Sequence, residues 1–193
     1  MPNIEKYYNN TKSTTPKANV KYFIEKIQPP PGKAIELGCG AGNETVYLIK
    51  NNWQVLAIDR EDVEQRTAKR LNANEREKFK FKKEKFENIK LEKTNAIIAN
   101  NSLPFCPKAK FQELWNKIKE SILEGGYFVG NFFGINDSWK PLKTEMVFLT
   151  KEQVINLFTD FEIIKLKEIE KDAVTGLGKM KHWHIFEITA KKK

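Results

Sequence analysis

The 193-residue chain is 40% apolar and 31% charged, and its 34 Lys and Arg against 25 Asp and Glu give a net charge of +9. No segment approaches the roughly 18 consecutive apolar residues of a spanning helix, and the start MPNIEKYYNN lacks the apolar run of a secretion signal; a cytoplasmic protein without a membrane partner is expected. The basic residues are scattered among acids and asparagines, which leaves nucleic acid open as a partner without favouring it, and Cys39 and Cys106 lack the spacing of a disulfide framework or a metal site.

No repeat, linker or shift in composition divides the chain, so one domain over residues 1–193 is expected, with residues 1–16, Tyr7 and Tyr8 among them, as a flexible tail or lid. Residues 17–28 place Val20, Phe23, Ile24 and Ile27 on one helical face, and PPPG at 29–32 ends that helix. KAIELG (33–38) reads as a strand, NETVYLIKNN (43–52) as a helix, WQVLAIDR (53–60) as a buried strand and 62–75 as one polar helix. KFKFKK (78–83) alternates with the period of a half-buried strand, and TNAIIANNSL (94–103) is another buried one. Residues 108–123 bring Phe111, Leu114, Trp115, Ile118 and Leu123 onto one helical stripe, and GGYFVGNFFG (125–134) is a strand. Thr150 and Gln153 form a capping box for a short helix, 151–159. FEIIKLKEIE (161–170) and HWHIFEITA (182–190) close the chain as strands of opposite sense. This alternation predicts an α/β fold: a Rossmann-like, doubly wound, seven-stranded sheet, mostly parallel with one antiparallel strand near the edge and helices on both faces.

In such a sheet ligands collect beyond the carboxyl ends of the strands, where the winding reverses. The stretch ELGCGAGNET puts Gly38, Gly40 and Gly42 at the exit of the first strand, where the backbone can turn tightly and approach a ligand. Asp59 ends the next strand, 19 residues after Gly40, the position from which an acid accepts ribose hydroxyls. A dinucleotide fingerprint requires glycine at position 43; here it is Asn43, and Glu36 would repel a pyrophosphate. An aminoacyl nucleoside with a cationic ammonium fits better.

AIELGCGAGNETVYL resembles the first motif of class I S-adenosylmethionine-dependent methyltransferases, and VLAIDR their ribose-binding second motif. SLPFC, FGINDSW and GKMKHWHIFEITAKK are similar to the small tellurite-resistance-type (TehB-like) subgroup. The resemblance implies S-adenosyl-L-methionine as cofactor. Gly38, Cys39, Gly40 and Gly42 would line its methionine portion, Glu36 would stand near the ammonium, Asp59 would hold the ribose and Arg60 would flank the adenine. Lys85 stands where the family offers an acid to the adenine amino group, so that contact falls to Phe86, or to Glu84 or Glu87. Asn100 and Asn101, at the end of the fourth strand, would face the methyl group. The sequence NNSL replaces the tetrad of base-amine methyltransferases, so Ser102 and Phe105 are expected to border a different acceptor.

Tyr7, Tyr8, Trp139, His182 and His184 are further acceptor-side candidates, with a histidine as a conceivable base. The resemblance implies methyl transfer to a small molecule by in-line displacement, in a monomer or homodimer. Such a transfer works chiefly by alignment and desolvation, so no catalytic residue is assigned. RNA or protein methylation and a non-catalytic cofactor-binding module remain the alternatives.

Overall fold

The segment after Gly32 becomes β1 (Lys33–Leu37), an inner strand of the sheet in the computed structural model, which describes residues 4–193. The other strands are β2 (Gln54–Asp59), β3 (Phe79–Lys83), β4 (Thr94–Ala99), β5 (Ile122–Gly134), β6 (Phe148–Leu149), β7 (Phe161–Val174) and β8 (Met180–Lys192). They run in the order β3-β2-β1-β4-β5-β8-β7, and β6 pairs with β5. All pairings are parallel except those of β8, which is antiparallel to β5 and to β7. The expected architecture is therefore present, with the two-residue β6 raising the strand count from seven to eight. The chain winds outward from β1 to β3 and then jumps back to β4, so the winding reverses between β1 and β4. The bend after β1 and the asparagines after β4 thus meet at a switch point.

Burial on both faces explains the continuous apolar runs of β1 and β4. On one face, α2 (Ala18–Tyr22, continuing into a π-helical turn at Phe23–Ile27) and α3 (Asn43–Lys50) cover Ala34, Val55, Ala96, Ile98 and Val129. On the other, α6 (Phe111–Ser121) and α7 (Lys151–Leu157) cover Ile35, Leu37, Ile58, Ile97 and Phe128. Trp115 anchors this second layer, its ring 4.9 Å from Phe158 and 5.2 Å from Phe128, with Nε1 donating to the Leu157 carbonyl. Leu123 does not join the stripe and is 40% exposed, because α6 stops at Ser121 and the chain enters β5 at Ile122.

Other boundaries move for local reasons. The polar stretch 62–75 breaks into α4 (Glu64–Ala68) and α5 (Ala73–Arg76), since Asn72 and Glu75 form a second capping box. The Thr150–Gln153 box forms as expected. Within the tail or lid expected over 1–16, Ile4–Thr11 form helix α1; the first three residues lie outside the described residues. Among the described residues no helix is long and apolar enough to cross a membrane.

The β7–β8 hairpin runs past its expected length, to Val174 and back from Met180, so its tip rises over the carboxyl end of the sheet. The loop after β5 is tied to it by an ion pair between Asp137 and Lys181, whose side chains are 0% and 2% exposed. Asp137 also accepts the backbone N–H of Trp139 at 2.9 Å. Lys181 Nζ lies 3.7 Å from the ring centre of Trp183, 4.6 Å from that of Trp139 and 5.1 Å from that of Phe133. Burial lowers the Lys181 pKa, and Asp137 opposes that shift. Removing one partner strands the other charge. Asp137→Ala should cost about 3–5 kcal/mol in urea unfolding, and replacing both residues by Leu and Met should recover most of that loss.

Candidate functional site

The bend after β1 is folded back onto the end of β2. The N–H groups of Gly38 and Cys39 both donate to the Ile58 carbonyl, at 2.8 and 3.1 Å. Gly38 (φ 73°) and Gly42 (φ 74°) occupy left-handed backbone, and a Cβ on either would overlap the side chain of Ser102 or Thr67. These two glycines let the bend pack against the end of β4 and against α4. Gly40 differs: among the described residues only the ring of Tyr8 is near its missing side chain, at 3.6 Å.

Asp59 joins the two junctions. Its Oδ2 accepts the Gly40 N–H at 2.8 Å, and its Oδ1 accepts the Glu61 N–H at 3.0 Å. A carboxylate offers about four acceptor positions, so two remain for a ligand's hydroxyls. Arg60, next in the chain, is exposed and lies 3.5 Å from Glu61.

Glu36 lies beneath the bend, 4% exposed, and accepts a short hydrogen bond from the Thr45 hydroxyl in the first turn of α3. Burial is the main force raising its pKa well above the ordinary value of 4.5, and Glu44 and Asp59 add to it. The same burial, with Glu36 and Asp59 nearby, raises the Cys39 thiol and keeps it protonated. A bend backed by neighbouring acids suits a cationic group and opposes a pyrophosphate.

The N-terminal helix closes the bend from above. Tyr8 is 4% exposed and packs with Cys39, Ala57 and Val63, while Arg66 sits 5.3 Å from its ring centre and pairs with Glu5. Tyr7 meets the hairpin tip at Gly176, and Asn10 donates to the Gly176 carbonyl at 3.0 Å. Burial raises both phenol pKa values, with Asp59 contributing to each, so both stay protonated. Asn43, which displaces the dinucleotide glycine, pins this segment. Its Nδ2 donates to the Thr11 carbonyl and the Thr14 hydroxyl, and its Oδ1 accepts from Arg70 at 2.9 Å. The sequence reading missed that role, although asparagine at a glycine position was its signal.

At the end of β4 the asparagines are held by partners distant in sequence. Asn100 accepts from Asn19 at 2.7 Å, and Asn101, at φ 51°, exchanges two hydrogen bonds with the Asn131 side chain. Asn100 Nδ2, Ser102 Oγ and Asn19 Oδ1 are buried without a hydrogen-bond partner among the described residues. Orphaned polar atoms are costly unless a ligand satisfies them. Together with the two spare acceptor positions of Asp59 and the acid under the bend, they fit an aminoacyl nucleoside. Phe86 is half-buried against the core layer that contains Leu37, Ile58 and Leu103. Of its neighbours, Glu84 is half-buried and its N–H donates to the Asp59 carbonyl, whereas Lys85 and Glu87 are exposed.

The remaining candidates separate by sheet face. Phe105 lies 6.1 Å from Trp139 and 6.2 Å from Phe133, and Trp183 lies 5.7 Å from Phe133 and 5.8 Å from Trp139. His182 and His184 alternate to the opposite face, where Asp172, Glu170 and Glu168 face them from β7. Hydrogen bonds to Asp172 and then Glu170 raise the His182 pKa. His184 Nδ1 accepts the Asn136 N–H, so its neutral ring carries the proton on Nε2 toward Glu168. With both nitrogens so engaged, the cluster of Glu168, Glu170 and His184 leaves no imidazole lone pair for a metal.

A family model described as "Tellurite resistance protein TehB" matches residues 2–175. No curated protein matches the chain. Among solved structures, TehB from Haemophilus influenzae is 18% identical with a TM-score of 0.74, the match covering 98% of this chain and 67% of that one. The 1,6-didemethyltoxoflavin-N1-methyltransferase of Burkholderia thailandensis, solved with its namesake compound and S-adenosylhomocysteine, is 15% identical (TM-score 0.70; 98% and 85% covered). The N-methyltransferase NodS of Bradyrhizobium japonicum, in complex with S-adenosylhomocysteine, is 12% identical (TM-score 0.70; 99% and 97% covered).

Glu36 makes the fold pH-sensitive in a defined direction. Its folded pKa is raised, so its contribution to stability is complete below about pH 4.5 and is lost as pH rises through the folded value. Glu36→Gln should therefore match the parent's Tm near pH 4 and exceed it increasingly at higher pH, as scanning calorimetry would show. Asn43→Ala should raise amide exchange over residues 4–14, where α1 loses its pin.

Proposed function

The chain belongs to the tellurite resistance protein TehB family, and from that premise we propose that it is an S-adenosyl-L-methionine-dependent methyltransferase acting on a small-molecule acceptor. The observation that carries this reading is the Asp59–Gly40 hydrogen bond, which brings an acid with spare acceptor positions and an acid-backed glycine bend into one crevice. The structural neighbours bound to S-adenosylhomocysteine support the choice of ligand.

In this reading Asp59 orients the ribose, and Glu36 compensates the ammonium from below the bend. The orphaned donors of Asn100 and Ser102 are positioned to bond the ligand's polar end. Bound S-adenosylmethionine supplies a methyl group on a sulfonium, already activated toward displacement. The chain's own task is alignment and exclusion of water. Tyr8 and the rest of α1 close the bend from solvent, while Ser102, packed at Gly38, leads to Phe105 and the aromatic wall. No imidazole faces that wall, and thiolate or neutral amine acceptors require no dedicated base to attack.

Calorimetry with S-adenosylhomocysteine tests the proposal. Saturable binding is expected, and Asp59→Ala should weaken it by about 1–3 kcal/mol. No heat of binding at millimolar ligand would overturn the reading. Turnover on a panel of thiols, phenols and amines would separate an enzyme from a binding module.

A further inference from the structure

A cavity of about 250 Å³ lies between α1, the loop after β5 and the β7–β8 tip, lined by Lys6, Trp139, Thr175, Leu177, Lys179 and Met180. It is smaller than the roughly 300–1,000 Å³ of pockets for drug-sized ligands. Two chains of side-chain contacts link its lining to the glycine bend. Along α1, Tyr8 touches Gly40 and Tyr7 touches Gly176, the residue between Thr175 and Leu177. Along the end of β4, Ser102 packs at Gly38 and Phe105 meets Trp139. Side chains that line the cavity or touch its lining thus lie within two contacts of the bend.

Its chemistry is one-sided. Among the described residues, the only charges in the lining are the ammonium groups of Lys6 and Lys179, and neither makes an ion pair. Both lysines are exposed, and large exposed apolar side chains belong to or touch the lining: Met180 at 68%, Val174, paired with it, at 61%, and Phe105, against Trp139, at 41%. Nearby acids are already engaged, Asp137 with Lys181, and Glu170 and Asp172 with His182 on the opposite face. The Asp137–Lys181 pair and its aromatic contacts hold Trp139 in place as a fixed wall.

We propose that this cavity is the acceptor chamber and that it takes a small organic anion, its carboxylate or equivalent acidic group between Lys6 and Lys179 and its apolar body against Trp139, Leu177 and Met180. The inference rests on the methyltransferase reading for the word acceptor, but the anion preference follows from the cavity alone.

Benzoate, benzyl alcohol and benzylamine share an apolar body and differ in charge. Each is titrated into the full chain saturated with S-adenosylhomocysteine, following the Trp139 indole N–H resonance, assigned by loss in Trp139→Phe. Benzoate should shift that resonance and bind at least about tenfold more tightly than benzylamine, and Lys6→Gln with Lys179→Gln should abolish the preference. Benzylamine binding equal to or tighter than benzoate, a preference that survives the double substitution, or no shift of the Trp139 resonance would overturn the proposal. Binding of S-adenosylhomocysteine to the parent, measured separately, distinguishes the two readings. If it binds and benzoate does not, the chamber fails alone. If it does not bind while benzoate binds in a lysine-dependent way, the anion site stands and the methyltransferase reading falls.

Discussion

Two β–α junctions that are separate in sequence are held as one crevice by the carboxylate of Asp59, which accepts the Gly40 N–H across the gap between β1 and β2. That bond can form only because the bend folds over the end of β2, with Gly38 and Cys39 both donating to Ile58. The bend in turn closes tightly only with left-handed backbone at Gly38 and Gly42, where Ser102 and Thr67 fill the space of a side chain. Strand register sets the rest. Leu37 pairs with Ile58, so the bend and Asp59 emerge at the same height.

Charge explains why this crevice differs from a dinucleotide site built on similar topology. Glu36 is buried, its ionised form disfavoured by burial and by neighbouring acids, a cost that a bound ammonium would relieve. At the turn itself, asparagine replaces the glycine that a pyrophosphate would need. Asn43 spends its side chain on the N-terminal segment and on Arg70, so one residue both departs from the dinucleotide pattern and fastens the cover of the site.

The far side of the crevice is shaped by the edge of the sheet. Pairing β8 antiparallel between β5 and β7 sends a long hairpin over the carboxyl ends of the parallel strands. Period-two alternation then sorts its residues. Lys181 and Trp183 turn toward Phe133 and Trp139, whereas His182 and His184 turn toward the acids of β7. Beyond the bulge between Ile163 and Lys165, the edge strand carries lysines on one face and acids on the other, a charged border that discourages pairing with another chain.

The strand framework and the glycine bend could be read along the chain, because burial on both faces leaves mainly apolar strand segments and a tight turn demands glycine. Asp59 was legible too, through its spacing from Gly40. Helix ends were less so: Asn72 broke the expected 62–75 helix through a capping box, and Leu123 fell outside its stripe where α6 gave way to β5. Tertiary structure alone decided that Ile4–Thr11 lie as a helix on the bend, because the bonds holding it there run from Asn43, Arg66 and Gly176, far away in the chain. It alone decided that Lys181 is buried against Asp137, and that Lys6 and Lys179 flank one cavity. Local propensity and periodicity describe how a segment meets its own neighbours. Which distant segments meet each other is set by the order of the strands, and that order is a property of the whole sheet.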